Sequence, residues 1–227
     1  MKMRITVALG LLAVLCASPA RADTTREELA VVEYLAQQKP QDPDARFDLA
    51  MAYARTPVLE KAWEELQSVI ALDKAYADKL IERLEPLVEE SPHNVEAHWR
   101  LAFAYYFKGR ESGDAVAATK ARNAFEKILA IDPHYVWAYN YLAYMTYEAG
   151  NLTGAEILAR KAVEVAPRNA VAHFLVGQAM LKQGNPFGAA MSLARAMQLR
   201  SAAGYGLPSA PAPPPTPQSA VPAQPVN

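Results

Sequence analysis

From residue 136 to residue 203 the apolar residues recur three and four apart, and that recurrence is itself repeated. Placing Val136–Asn169 above Ala170–Ala203 sets Ala143 on Gly177, Gly150-Asn151 on Gly184-Asn185, Ala155 on Ala189 and Ala162 on Ala196, a period of 34. Upstream, Leu101-Ala102, Gly109 and Pro92 each precede Leu142-Ala143, Gly150 and Pro133 by 41, whereas Pro133 precedes Pro167 by 34. Residues 95–135 are therefore the same unit with seven extra residues, placed within Glu111–Lys120. Self-similarity at a fixed period marks a supersecondary unit that stacks on its own copies. Each unit predicts two helices. Apolar and aromatic residues cover most of the helical surface of 136–149, so that helix is buried on more than one side. Gly150-Asn151 breaks it, and Leu152–Val165 is a second amphipathic segment closed by Ala166-Pro167, because proline cannot continue a helix. No segment alternates with period two, so no sheet is expected.

The first third of the chain carries the pattern less regularly. Thr24 and Thr25, each followed three residues later by Glu, are capping-box starts for a helix running to about Lys39. Pro40 and Pro43 interrupt it. Asp44–Arg55 follows, in which Leu49-Ala50 and Tyr53 echo Leu101-Ala102 and Tyr105. Pro57 ends that helix. Val58–Leu72 and Ala75–Glu90 predict two more, and Ser91-Pro92 closes the region as Asp132-Pro133 closes the next unit. Residues 23–94 thus read as a degenerate repeat with an extra helix inserted. Residues 204–227 differ in kind: eight prolines and no charge. Such a segment cannot bury a core and is expected to be polyproline II or disordered, a solvated tail, a ligand for a proline-binding module or a spacer in the envelope.

The residues in register resemble the tetratricopeptide repeat (TPR). Unit 136–169 has Tyr139 in the usual Trp slot, then Leu142-Ala143, Gly150, Ala155, Ala162 and Pro167. Unit 95–135 has His98, Leu101-Ala102, Tyr105, Gly109, Ala121, Phe125 and Pro133, and departs by its insertion and by Ile128 in the last small slot. Unit 170–203 has His173, Val176-Gly177, Gly184, Ala189 and Ala196, and lacks the closing proline. The resemblance implies an all-α, TPR-like α-solenoid, a right-handed superhelix of antiparallel helix pairs. It also implies that the first helix of each pair lines a concave, partner-binding wall. Carried over residue by residue, that wall is Trp99, Phe103, Tyr106 and Phe107, then Trp137, Asn140, Tyr144 and Tyr147, then Phe174, Gln178 and Leu181. Contiguous apolar faces seldom stay exposed without a reason. Either this face binds a peptide or helix, or the N-terminal helices cover it. The Lys, Arg and Asn clamp by which some TPR proteins hold a C-terminal carboxylate is absent: apolar residues fill those slots, and only Arg100 is basic.

Composition narrows the function further. With 23 Lys plus Arg against 24 Asp plus Glu, no electrostatic argument favours nucleic acid. Charge is uneven, with 8 basic and 16 acidic residues in 23–92 and 12 and 8 in 93–227, as solvated helix faces would give. Residues 1–22 read as a secretory signal: Lys2 and Arg4, an apolar stretch Ile5 to Ala17, and Ala20-Arg21-Ala22 as the cleavage site. That stretch is too short for a permanent span. Cys16 follows Leu15 rather than a small residue, which disfavours a lipid anchor. Cleavage after Ala22 would leave an exported chain without cysteine, hence without disulfide, thiolate metal site or Cys nucleophile.

Chemistry at a catalytic centre has little to stand on. His98 and His173 share the Tyr139 slot, where packing explains them. His93 and His134 follow inter-repeat prolines, five or more residues from any partner histidine. Glu64-Glu65 and Glu89-Glu90 read as solvated pairs. No nucleophile elbow, phosphate loop or zinc-protease helix motif occurs. The expectation is a non-enzymatic, cofactor-free scaffold in the cell envelope that binds a protein or peptide. An aromatic-lined cavity in a transporter's accessory subunit is the alternative. Phe187, Met191 and Met197 lie on a last pair that has no polar capping helix, which suggests self-association, a docked partner or simple fraying of that end.

Overall fold

A computed structural model describes residues 24–205. The leader, its cleavage site, Cys16 and the proline-rich segment 206–227 lie outside the described residues. Within them ten helices follow in order: α1 (Arg26–Gln38), α2 (Pro43–Tyr53), α3 (Leu59–Leu72), α4 (Tyr76–Glu90), α5 (Val95–Ser112), α6 (Ala115–Ile131), α7 (Val136–Glu148), α8 (Leu152–Val165), α9 (Ala170–Lys182) and α10 (Pro186–Ala202). No strand occurs among the described residues. This is an all-α, TPR-like solenoid of antiparallel helix pairs. The pairs are α5/α6, α7/α8 and α9/α10, each second helix packing on the first helix of the next pair, and α2/α3 forms a further hairpin.

Local chemistry sets the boundaries. Thr25 and Glu28 close a reciprocal capping box at α1. Asn94, Asp114, Asn151, Asn169 and Asn185 cap the starts of α5, α6, α8, α9 and α10 through side-chain oxygens. Gly150 and Gly184 take φ +81° and +80° between the helices of the last two pairs, a backbone that only glycine adopts without strain.

In the first of the three units the turn is not where the register puts it. Gly113, at φ +70°, makes the left-handed bend, while Gly109 stays inside α5. The seven extra residues do not form a loop. Compared with the next pair, five lengthen the first helix and three lengthen the second, while the turn is one residue shorter. Gly109 serves instead as a crossing point: a Cβ there would sit 2.9 Å from the Ala118 backbone nitrogen.

Pair by pair, one set of hairpin slots differs in size. The same register slots hold Ala102 with Phe125, then Ala143 with Ala159, then Gly177 with Leu193. At Gly177 an added Cβ would meet the Leu193 side chain at 2.7 Å. Close packing leaves no slack for both members of such a pair to be large.

Candidate functional site

The concave wall starts from the first helices of the three pairs, and its residues meet different fates. Trp99, Phe103, Phe107, Trp137 and Asn140 are all buried, none more than 2% exposed. The wall at this end is not an open groove: of the two readings, binding face or cover by the N-terminal helices, cover describes these five residues. The cover comes from the N-terminal helices. Phe47 of α2 lies 5.7 Å, ring centre to ring centre, from both Phe103 and Tyr76. Trp99 packs against Phe103, Phe125, Tyr135 and Tyr141 at 5.4–6.0 Å. Such tilted and offset ring pairs each add to plain area burial.

Two residues outside the expected set hold this cover in place. Arg55, from the turn after α2, donates to both carboxylate oxygens of Glu96 at 3.0 and 3.4 Å and to the Tyr135 hydroxyl at 3.4 Å. Its guanidinium lies 5.5 Å from the centre of the Trp99 ring. Burial pulls against its charge, yet Tyr135 and Glu96 outweigh that and keep it protonated. Tyr141, wholly inside, touches four rings and donates to the Ala54 carbonyl at 3.4 Å. Burial pushes the hydroxyls of Tyr106 and Tyr135 up to about 12 and that of Tyr141 well above its ordinary value, so all three are neutral donors. Tyr141 shares a helix face with Trp137, four residues away, and that spacing could have marked it. Arg55 had no such local signal.

Further along, the wall opens. Tyr106 and Tyr144 are half-buried; Tyr144 donates to Glu148 at 2.6 Å and accepts from Arg110 at 3.0 Å. Tyr147 is half-buried under the Lys182 ammonium, 4.3 Å from its ring centre. Gln178 is half-buried, and Phe174 and Leu181 are 46% and 48% exposed. In repeat register Asn140, Tyr144 and Tyr147 of α7 stand beside Phe174, Gln178 and Leu181 of α9. The accessible remainder of the wall is therefore one patch on α7 and α9: Tyr144, Tyr147, Phe174, Gln178 and Leu181.

The outer end of the array is a second apolar surface. Glu156, Arg160 and Val163 occupy the α8 positions turned to α9; Glu156 accepts from Gln183 at 3.1 Å. One period later these positions are Ala190, Ala194 and Met197, with no further pair upon them among the described residues. Beside them Phe187 and Met191 are 80% and 68% exposed.

The histidines are accounted for within the fold. His98 and His173 meet the carbonyls of Pro92 and Pro167 at 3.1 and 3.0 Å, the same inter-repeat contact twice. Among the described residues no group of three His, Cys, Asp or Glu side chains could hold a metal ion. No described helix is long and apolar enough to cross a membrane. Glu65, expected to be solvated, pairs with Arg46 at 2.9 Å and ties α2 to α3.

Helix pairs in this register, with the Asn-capped Gly turns and the small crossing residues, define the class: the chain has the fold of TPR proteins. Among solved structures, a thermophilic TPR protein of Thermus thermophilus, TTC0263, superimposes with a TM-score of 0.51 at 18% identity, covering 89% of this chain and 95% of that one. MamA from Desulfovibrio magneticus RS-1 gives 0.47 at 16%, covering 88% and 95%. At the level of sequence, no family model and no curated protein matches the chain.

Proposed function

We propose that the protein is a non-enzymatic TPR scaffold that binds a polypeptide on the open end of its concave wall, and that it works in the cell envelope after export. The observation that carries this reading is the contrast along one wall. Slots filled by the chain's own N-terminal helices at one end are left accessible at Tyr144, Tyr147, Phe174, Gln178 and Leu181. Aromatic and aliphatic anchors with a few polar tips suit an amphipathic helix or extended segment, which brings large buried area at few positions. Lys182 and the Arg110–Glu148 pair, 2.7 Å apart, rim the patch and would set orientation more than affinity. The transporter-cavity alternative loses its motive, because the rings that would line the cavity pack on one another and on Phe47.

A photo-crosslinking residue placed at Gln178 in cells should capture a partner that the same residue at Lys161, on the opposite helix, does not. Phe174→Ala with Leu181→Ala should then reduce binding of that identified partner by roughly tenfold or more, with unchanged helical circular dichroism. Equal capture from both positions would remove the wall from the function.

Self-association through Phe187, Met191 and Met197 is the second part of the proposal. Sedimentation of the purified chain should show a concentration-dependent dimer or larger species that Met191→Glu abolishes.

A further inference from the structure

Among the described residues α1 stands as a second helix without a first. Glu33 of α1 accepts from Tyr53 of α2, and Glu85 of α4 accepts from Tyr105 of α5, the same contact across 20 residues each time. α1 therefore packs on α2 as α4 packs on α5, with no described helix before it. The face that a first helix would cover is open: Val31, Tyr34 and Leu35 are 43%, 60% and 44% exposed. α10 has the opposite deficit. Its first helix, α9, is in place, but no next pair follows among the described residues, and Phe187, Met191 and Met197 stay exposed. Each face lacks one amphipathic helix.

We propose that the two deficits fill each other between copies: α1 of a second chain docks antiparallel on α10. This rests on the self-association proposed above and names the surface that meets α10.

Charge selects this occupant. α10 carries Arg195 and Arg200 and no acidic residue, whereas α1 carries Glu27, Glu28 and Glu33 against Arg26. Two α10 helices face to face would bring arginines together with no carboxylate to answer them, while α10 on α1 brings opposite signs. Glu27 and Arg195 are both exposed. Arg195 donates to Gln198 at 2.7 Å, and neither residue forms an ion pair among the described residues.

Register selects the direction. Glu27, Val31 and Leu35 are four apart along α1, and Phe187, Met191 and Arg195 are four apart along α10, so each series follows one face. Run in opposite directions, they set Glu27 on Arg195, Val31 on Met191 and Leu35 on Phe187. Run in the same direction, they would set Arg195 on Leu35 and Glu27 on Phe187, leaving both charges against apolar side chains. Within one copy Arg26 reaches the Gly204 carbonyl, yet both faces stay exposed, so a chain does not close this contact on itself. The contact joins unlike faces, so every chain can both give an α1 and receive one.

The test uses the full chain with Cys16→Ser, made as two further variants, Ala30→Cys and Ala194→Cys, and a short bis-maleimide. Their mixture should yield a cross-linked pair of chains that neither variant yields alone. Val31→Glu with Leu35→Glu should abolish the associated species in sedimentation, as Met191→Glu does. Should that double variant lose its helical circular dichroism, Glu27→Arg, which keeps the apolar face, should still raise the dissociation constant several-fold. Cross-linking of Ala194→Cys with itself overturns the α1 contact and leaves the self-association standing. So does an associated chain that cross-links in no sample. A chain that sediments as a monomer at every concentration overturns the self-association itself, and this contact with it.

Discussion

Asn140 and Phe174 occupy the same slot of successive repeats, yet the polar residue is buried and the aromatic one is nearly half exposed. The inversion shows that a residue's type did not decide its burial here. What lies against each slot did: Asn140 donates to Asn169 at the start of the next pair, whereas no further pair follows Phe174's own among the described residues. Arg55 and Ala54, from the α2–α3 turn, reach Trp99 and Tyr141 in the wall of the first two units, so one continuous surface is interior at one end and exposed at the other. Binding capacity in such a solenoid belongs to whichever slots its own N-terminal region leaves uncovered.

The comparison can be broken most directly at its two extremes. Trp99→Ala removes a side chain with no exposure and four ring neighbours, and should cost about 3–5 kcal/mol, seen as a large fall in the urea midpoint. Phe174→Ala, in the open part, should cost under about 0.5 kcal/mol in the same measurement. Equal losses would mean that the wall is not divided.

Arg55→Met tests what holds the cover down. Glu96 and the Tyr135 hydroxyl would lose their shared cation in a largely buried setting, at a cost of about 2 kcal/mol. Hydrogen exchange should rise in α2 more than in α9. Uniform change across the two helices would argue against a local clasp.

The smallest effect concerns pH. The Arg83 guanidinium, with help from Tyr76 and against partial burial, holds the Asp44 carboxyl below its ordinary value of 3.8. A depressed folded-state value means that the Asp44–Arg83 pair stabilises at neutral pH and loses that contribution as pH falls through the folded value. Half of each side chain is exposed, so the term is roughly 0.2–1 kcal/mol. Asp44→Asn should lower the urea midpoint at pH 7 slightly and flatten its decline in acid.

The second half of the fold was legible in the sequence because its punctuation is local. Proline, glycine and asparagine at intervals of 34 mark turns whatever surrounds them. Where a turn moved, the same marks misled: Gly109 kept the register while the bend passed to Gly113, and the extra residues lengthened both helices. Whether the wall is open or covered was undecided in the sequence for a different reason. Periodicity tells which residues share a face, not what lies against it. The partners that answer this are Arg55 with Glu96, 41 residues apart, and Tyr141 with Ala54, 87 apart, and no spacing rule joins them.

The alternating bulk at the hairpin crossings has an evolutionary side. Gly177 faces Leu193, and the same register slots hold Ala143 with Ala159 and Ala102 with Phe125, so the hairpins differ in how their two helices match. A helix transplanted between units would bring either a collision or a void, so the units of this array are not interchangeable copies of one module. Its three units have drifted as matched couples, and a designer wishing to lengthen it would have to duplicate whole hairpins rather than single rods.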